Sequence, residues 1–218
     1  MALSVAQAVT GLAGEIPDAE VVLEVTAPGR PGEVPEAAPP RFVLLKDRQV
    51  FVGGSSEVLT ARLEKRDLDP IRKLVKKVRK QKGLPAAVTL GPGPVRYRLS
   101  LRDGKPLELL ATGDPMQAPP SQRDLAQLLL ALSDFDHPAL RTYRPAGYEQ
   151  RVLEGRLAGG CRAWDVGRPL PPPGGVATVA AELVAGWPTG SHPASVCHAG
   201  RSLVVTLRPL LPGENPAP

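Results

Sequence analysis

The feature that most constrains this chain is a succession of patterns that occurs twice: two apolar runs split by a polar turn, then an amphipathic segment. Residues 41–45 form an apolar run, Lys46-Asp47-Arg48-Gln49 a polar turn, and residues 50–52 return to a stop at Gly53-Gly54. That is the signature of a β-hairpin. Residues 68–82 then read as a helix, because Ile71, Leu74, Val75 and Val78 fall on one arc at helical spacing. Asp69 is the expected N-cap, Pro70 the first helical residue and Gly83 the left-handed residue past the end. The pattern recurs downstream. Residues 95–101 alternate at period two, Arg102-Asp103-Gly104-Lys105 carries the Asp-Gly hairpin signal, and residues 107–111 return. After a loop over 112–120, Ser121 with Asp124 three residues on opens a second helix, along which Leu125, Leu128, Leu129 and Leu132 recur at helical spacing.

Two hairpin–helix units in succession predict an α+β fold, with an antiparallel sheet and two ββα-like units in one loop-rich domain. Residues 1–18 read as a tail or short helix, 19–214 as the domain and 215–218 as a second tail. A first strand is expected over residues 20–25. Residues 27–40 hold five prolines and two glycines with little to bury, and read as a surface loop. The last third is strand-like: 148–157, 162–166 and 202–207 are expected strands, Pro171-Pro172-Pro173-Gly174-Gly175 a loop, and 176–185 is ambiguous between helix and strand. With three Phe, three Tyr and two Trp in 218 residues, the core has to rest on Leu and Val.

No run approaches the roughly 18 apolar residues needed to span a bilayer. The first residues lack a basic region followed by a dense Leu core, which slightly favours the cytoplasm and leaves export open. Two cysteines, Cys161 and Cys197, fit either one disulfide or two thiols.

Charge is the second strong signal. Between Arg62 and Lys82 stand ten Lys/Arg and three Asp/Glu, a net of +7. The whole chain carries +5, so everything outside this window sums to −2. On the predicted helix Arg72, Lys73, Lys76, Lys77, Arg79 and Lys80 oppose the apolar arc. Such a stripe suits an acidic protein surface or the phosphates of a nucleic acid. A solvated face, with Arg79, Lys80 and Lys82 placed against the helix dipole, explains it as well. The helix carries no aromatic side chain, so base stacking has no support there.

Residues with catalytic or ligating chemistry are few. His137 stands beside Asp134 and Asp136, a grouping a hydrolase uses, yet no G-x-S-x-G elbow accompanies it. Helix termination explains these residues equally well. Cys161, Cys197, His192 and His198 offer four zinc-ligand types at spacings unlike paired knuckles, and a Cys–His nucleophilic pair has no further support. Gly91-Pro92-Gly93-Pro94 lacks the N–H donors of a phosphate cradle, and Gly53-Gly54-Ser55-Ser56 lacks the Gly-Lys-Ser/Thr ending of a P-loop. No metal and no cofactor is expected. Trp164 and Trp187 read as core residues, or as partner anchors if exposed.

The ending, from Val196-Cys197-His198 through Leu207-Arg208-Pro209-Leu210-Leu211-Pro212-Gly213-Glu214, resembles that of a group of uncharacterised bacterial proteins that close on a strand and R-P-L-L-P-G/D-E. The order of hairpins and helices and the Tyr143-Arg144-Pro145 segment are similar too. Many members of that group are exported. The resemblance supports the architecture and implies no activity. The expectation for function is a non-enzymatic interaction or assembly protein whose cationic helix meets an acidic partner. The alternatives are a nucleic-acid-binding module, or a hydrolase using His137 with Asp134 or Asp136, or Cys161 with His192 or His198.

Overall fold

The computed structural model describes residues 16–27, 40–53, 57–155, 157, 160–190 and 192–214. Most of the expected N-terminal tail, nearly all of the proline-rich loop, the C-terminal tail and the Gly54-Ser55-Ser56 turn lie outside them. The fold is α+β in one domain, with two mainly antiparallel sheets and two helices.

The larger sheet contains β1 (Ala19–Thr26), β2 (Phe42–Leu45), β3 (Gln49–Val52), β4 (Leu59–Arg62), β5 (Ala87–Thr89), β6 (Arg96–Leu101), β7 (Leu107–Thr112) and β8 (Arg141–Thr142), in the order β5-β7-β6-β1-β2-β3-β4-β8. The two expected hairpins, β2–β3 and β6–β7, flank β1 on opposite sides, paired antiparallel to it through Val22↔Val43 and Leu23↔Leu99. The helices α1 (Lys65–Lys80) and α2 (Arg123–Ser133) cover one face of this sheet. Their core joins Val21 and Leu23, Phe42 and Leu44, Val50 and Val52, and Leu99, Leu101 and Leu109 to Leu68, Ile71, Val75 and Val78 of α1 and to Leu125, Leu128, Leu129 and Leu132 of α2.

On the opposite face, Val22, Val43, Leu45 and Phe51 pack under Ile16, Val58, Leu211 and Tyr143. Coverage on both faces explains why β2 and β3 are unbroken apolar runs, Phe-Val-Leu-Leu and Val-Phe-Val. In β6 and β7 the outward residues Arg96, Arg98, Glu108 and Leu110 are exposed, and those strands alternate accordingly.

The smaller sheet contains β9 (Gly147–Glu154), β10 (Arg162–Ala163), β11 (Val176–Ala180), β12 (Ala194–His198) and β13 (Arg201–Pro209), in the order β10-β12-β13-β9-β11. Its own core gathers Val152, Val179, Val196, Leu203, Val205 and Leu207 with Val166, Val184 and Trp187. From the end of β13 the chain crosses to the outer face of the larger sheet, where Leu211 is buried.

Several expectations are corrected. α1 begins at Lys65 with Glu64 as its N-cap, so Asp69 and Pro70 lie inside the helix. The N–H of Glu64 donates to Asp67 Oδ2 at 3.1 Å, which places the cap five residues earlier than the Asp-Pro pair suggests. α2 begins at Arg123 after a 3-10 turn over Pro120–Gln122, and Ser121 is no cap. The segment ambiguous between helix and strand is both: β11, then a 3-10 turn over Ala181–Val184. The expected strand over 162–166 shrinks to the two residues of β10.

Candidate functional site

The exposed side of α1 is the densest concentration of like charge in the chain, and the structure sorts its cations into two groups. Arg72 is half-buried, with Nη2 3.4 Å from Glu20 Oε2 on β1. Arg79, also half-buried, donates from Nη1 to the Lys105 carbonyl in the β6–β7 turn. Lys77 reaches Asp124 of α2 at 3.7 Å. These three tie the helix to its neighbours. Lys73, Lys76 and Lys80 are exposed and form no ion pair among the described residues. At spacings of three and four they lie one above another on the side opposite Ile71, Val75 and Val78. Of the six expected partner-binding residues, these three are the ones that face solvent unengaged.

The two helices run antiparallel. Lys77 near the end of α1 meets Asp124 at the start of α2, and Asp67 near the start of α1 faces His137 beyond the end of α2. Arg41 supports that end of α2, donating from Nε to the Ser133 carbonyl and from Nη1 to the Gly53 carbonyl, both at 2.6 Å. It thereby satisfies a carbonyl that a helix terminus leaves without a partner.

The carboxylate facing His137 is therefore Asp67, with Nε2 to Oδ2 at 3.8 Å, and not Asp134 or Asp136, both of which are exposed. His137 Nδ1 accepts the N–H of Ala139 at 3.1 Å. With one nitrogen accepting from backbone and the other turned to a carboxylate, the imidazole presents no free lone pair to a substrate.

Cys161 and Cys197 are joined in a disulfide with a Cα–Cα distance of 5.3 Å. The bridge occupies the thiolate that a pairing of Cys161 with His192 or His198 needs. Both of those histidines are exposed. Among the described residues no group of three or more His, Cys, Asp or Glu is placed to hold a metal ion. The bridge closes a loop across a sequence separation of 36, which in the chain-entropy view stabilises the fold by about 4 kcal/mol. Beside it, Trp164 and Trp187 pack edge to face with ring centroids 4.6 Å apart, and the Arg162 guanidinium carbon lies 3.5 Å from the Trp187 ring centroid. Trp187 is buried and Trp164 half-buried, so both serve the core of the smaller sheet.

One polar cluster was not legible in the sequence. Arg208 on β13 is fully buried and bonds Glu149 Oε2 at 2.9 Å and Glu214 Oε1 at 2.7 Å. Arg151 holds the other Glu149 oxygen at 2.6 Å. Burial pushes the Glu149 carboxyl up, and the hydrogen bonds and charges of Arg208 and Arg151 outweigh that and hold it below its usual range. Glu24 on β1 lies in the field of Arg208 without bonding it. Burial raises its carboxyl above the usual range, and the charges of Arg98 and Arg208 offset this only in part. This cluster stands where the end of β13 passes from one sheet to the other, and the hydrogen bonds of Arg208 run to Glu149 and Glu214 of the same chain, a cohesive arrangement that leaves Arg208 Nε and Glu24 Oε2 buried without a hydrogen-bond partner among the described residues.

Among the described residues no helix is long and apolar enough to cross a membrane. No family model matches the chain, and no match emerges among curated proteins or solved structures.

Proposed function

We propose that this chain is a non-enzymatic interaction protein that presents the exposed lysine face of α1 to an acidic surface on a partner protein. The observation that carries the reading is the contrast along one helix. Arg72, Lys77 and Arg79 are drawn to the protein's own acceptors, whereas Lys73, Lys76 and Lys80 stand exposed and unpaired among the described residues. Like charges stacked at this spacing repel one another, and an anionic partner turns that cost into binding energy. The face carries no aromatic group to stack on bases, which favours an acidic protein over a single-stranded nucleic acid.

The test compares the protein with its Lys73→Glu, Lys76→Glu, Lys80→Glu variant on immobilised polyglutamate and on duplex DNA. Retention on polyglutamate that weakens with salt and is lost in the folded variant is the expected result. Retention on DNA alone would replace the proposal with the nucleic-acid reading. Equal behaviour of variant and parent on both matrices would remove α1 from consideration.

A further inference from the structure

We propose that the Cys161–Cys197 disulfide is a redox latch that holds the edge strand β10 over Trp187, and that its reduction releases β10 and uncovers the indole. β10 contributes two residues to the edge of the smaller sheet, pairing parallel to β12 through Arg162↔Val196 and Ala163↔Cys197. Both of its side chains are exposed, so no apolar burial fixes it in place. The covalent anchor sits at this same short ladder, since Cys161 precedes β10 and Cys197 belongs to the strand beside it. Cys197 is exposed and Cys161 half-buried, which leaves the bridge open to attack by a thiolate.

The cover and the covered group are both defined. Arg162 lies over the Trp187 ring at 3.5 Å, and Trp164 closes its flank at 4.6 Å. Trp187 is held to 7% exposure beneath them. Directly beyond β10, Trp164 packs against the core of the smaller sheet and Val166 is buried within it, and these mark where release stops. In the switching step a dithiol reductant passes two electrons and two protons to the two Sγ atoms. The S–S bond breaks, two S–H bonds form, and the reductant closes to its own disulfide.

Tryptophan emission tests this directly, because Trp164 and Trp187 are the only two tryptophans in the chain. The folded protein is treated with dithiothreitol, and the freed thiols are counted with a chromogenic disulfide reagent. The latch predicts two thiols per chain, a red shift in emission, a several-fold rise in acrylamide quenching and loss of amide protection at residues 161–163. Protection across β9, β12 and β13 should persist, and reoxidation should reverse every change. The Cys161→Ser, Cys197→Ser double variant should show the reduced emission with no reductant present. Unchanged emission with both thiols titrated, or double-variant emission like that of the oxidised parent, overturns the proposal. So does collective loss of protection across the smaller sheet, which would make the bridge a staple of that whole sheet. Thiols that titrate only in denaturant overturn it as well.

Discussion

At the scale of single residues, a few positions bear constraints that their neighbours in sequence do not suggest. Gly113 has φ +107°, and a Cβ built there would lie 1.9 Å from the Gly91 carbonyl oxygen. The chain after β7 crosses this close because Leu90 N–H donates to Thr112 O and Asp114 N–H to Pro92 O. The prolines that spoil 91–94 as a phosphate cradle shape this crossing. Gly113→Ala combines backbone strain with a clash against main chain and should cost about 3–5 kcal/mol in urea unfolding. Arg208→Ala leaves Glu149 and Glu214 buried without their shared cation, and the same measurement should show a loss of about 3–5 kcal/mol. Glu24 gives a prediction of opposite sign. Its folded-state pKa lies above the ordinary glutamate value of 4.5, so the folded state binds more protons in the interval above 4.5. The contribution of Glu24 to stability therefore grows as pH falls through the raised pKa and is lost as pH rises through it. Glu24→Gln should stabilise the fold at pH 7, and the difference from the parent should shrink as pH approaches 4.5. Glu149 works the other way: the stability it supplies is present above 4.5 and fades as pH falls below that value through the depressed pKa.

At the scale of elements, the two helices share a layer and divide its tasks. α2 buries Leu125, Leu128, Leu129 and Leu132 completely and serves packing, while α1 buries one side and displays lysines on the other. Asp67 contributes twice to α1, accepting the N-cap N–H of Glu64 and facing His137. Asp67→Ala should therefore lower stability by about 1 kcal/mol in urea unfolding without altering retention on polyglutamate. The hairpins and the leucine face of α2 were legible because strand alternation and helical spacing are local patterns. The start of α1 is not legible locally, because Asp69-Pro70 is a strong local start signal while the apolar contact of Leu68 with the sheet extends the helix upstream of it to Lys65. The short strands β4, β5, β8 and β12 were missed. Each is five residues or fewer, too short to show a clear period, and β5 and β8 also need a partner from far along the chain to supply the ladder, Thr112 for Thr89 and Leu59 for Thr142.

At the scale of the whole molecule, charge and cohesion are separated. The excess cation density stands on one exterior helix, and the buried Arg208 is held between the carboxyl groups of Glu149 and Glu214 where β13 leaves the smaller sheet. Binding through α1 should therefore be strongly screened, with retention on polyglutamate falling steeply between low and physiological salt. Stability set by Arg208, Glu149 and Glu214 should be nearly salt-independent, because those groups are shielded from the ionic atmosphere. Urea unfolding and matrix retention measured across one salt series check both expectations together.

By itself the sequence determined the α+β class, the two hairpins, the packing face of each helix and the element that carries the positive charge. These follow from side-chain periodicity and turn chemistry, which act between near neighbours. Only the tertiary structure decided that β1 is the seam between the hairpins, that Cys161 joins Cys197, and that Asp67 is the carboxylate facing His137. It alone singled out Lys73, Lys76 and Lys80 from the six cations of the stripe. Burial, ladder pairing and the reach of a long cationic side chain all depend on what the fold brings near from far along the chain, and no local pattern encodes that.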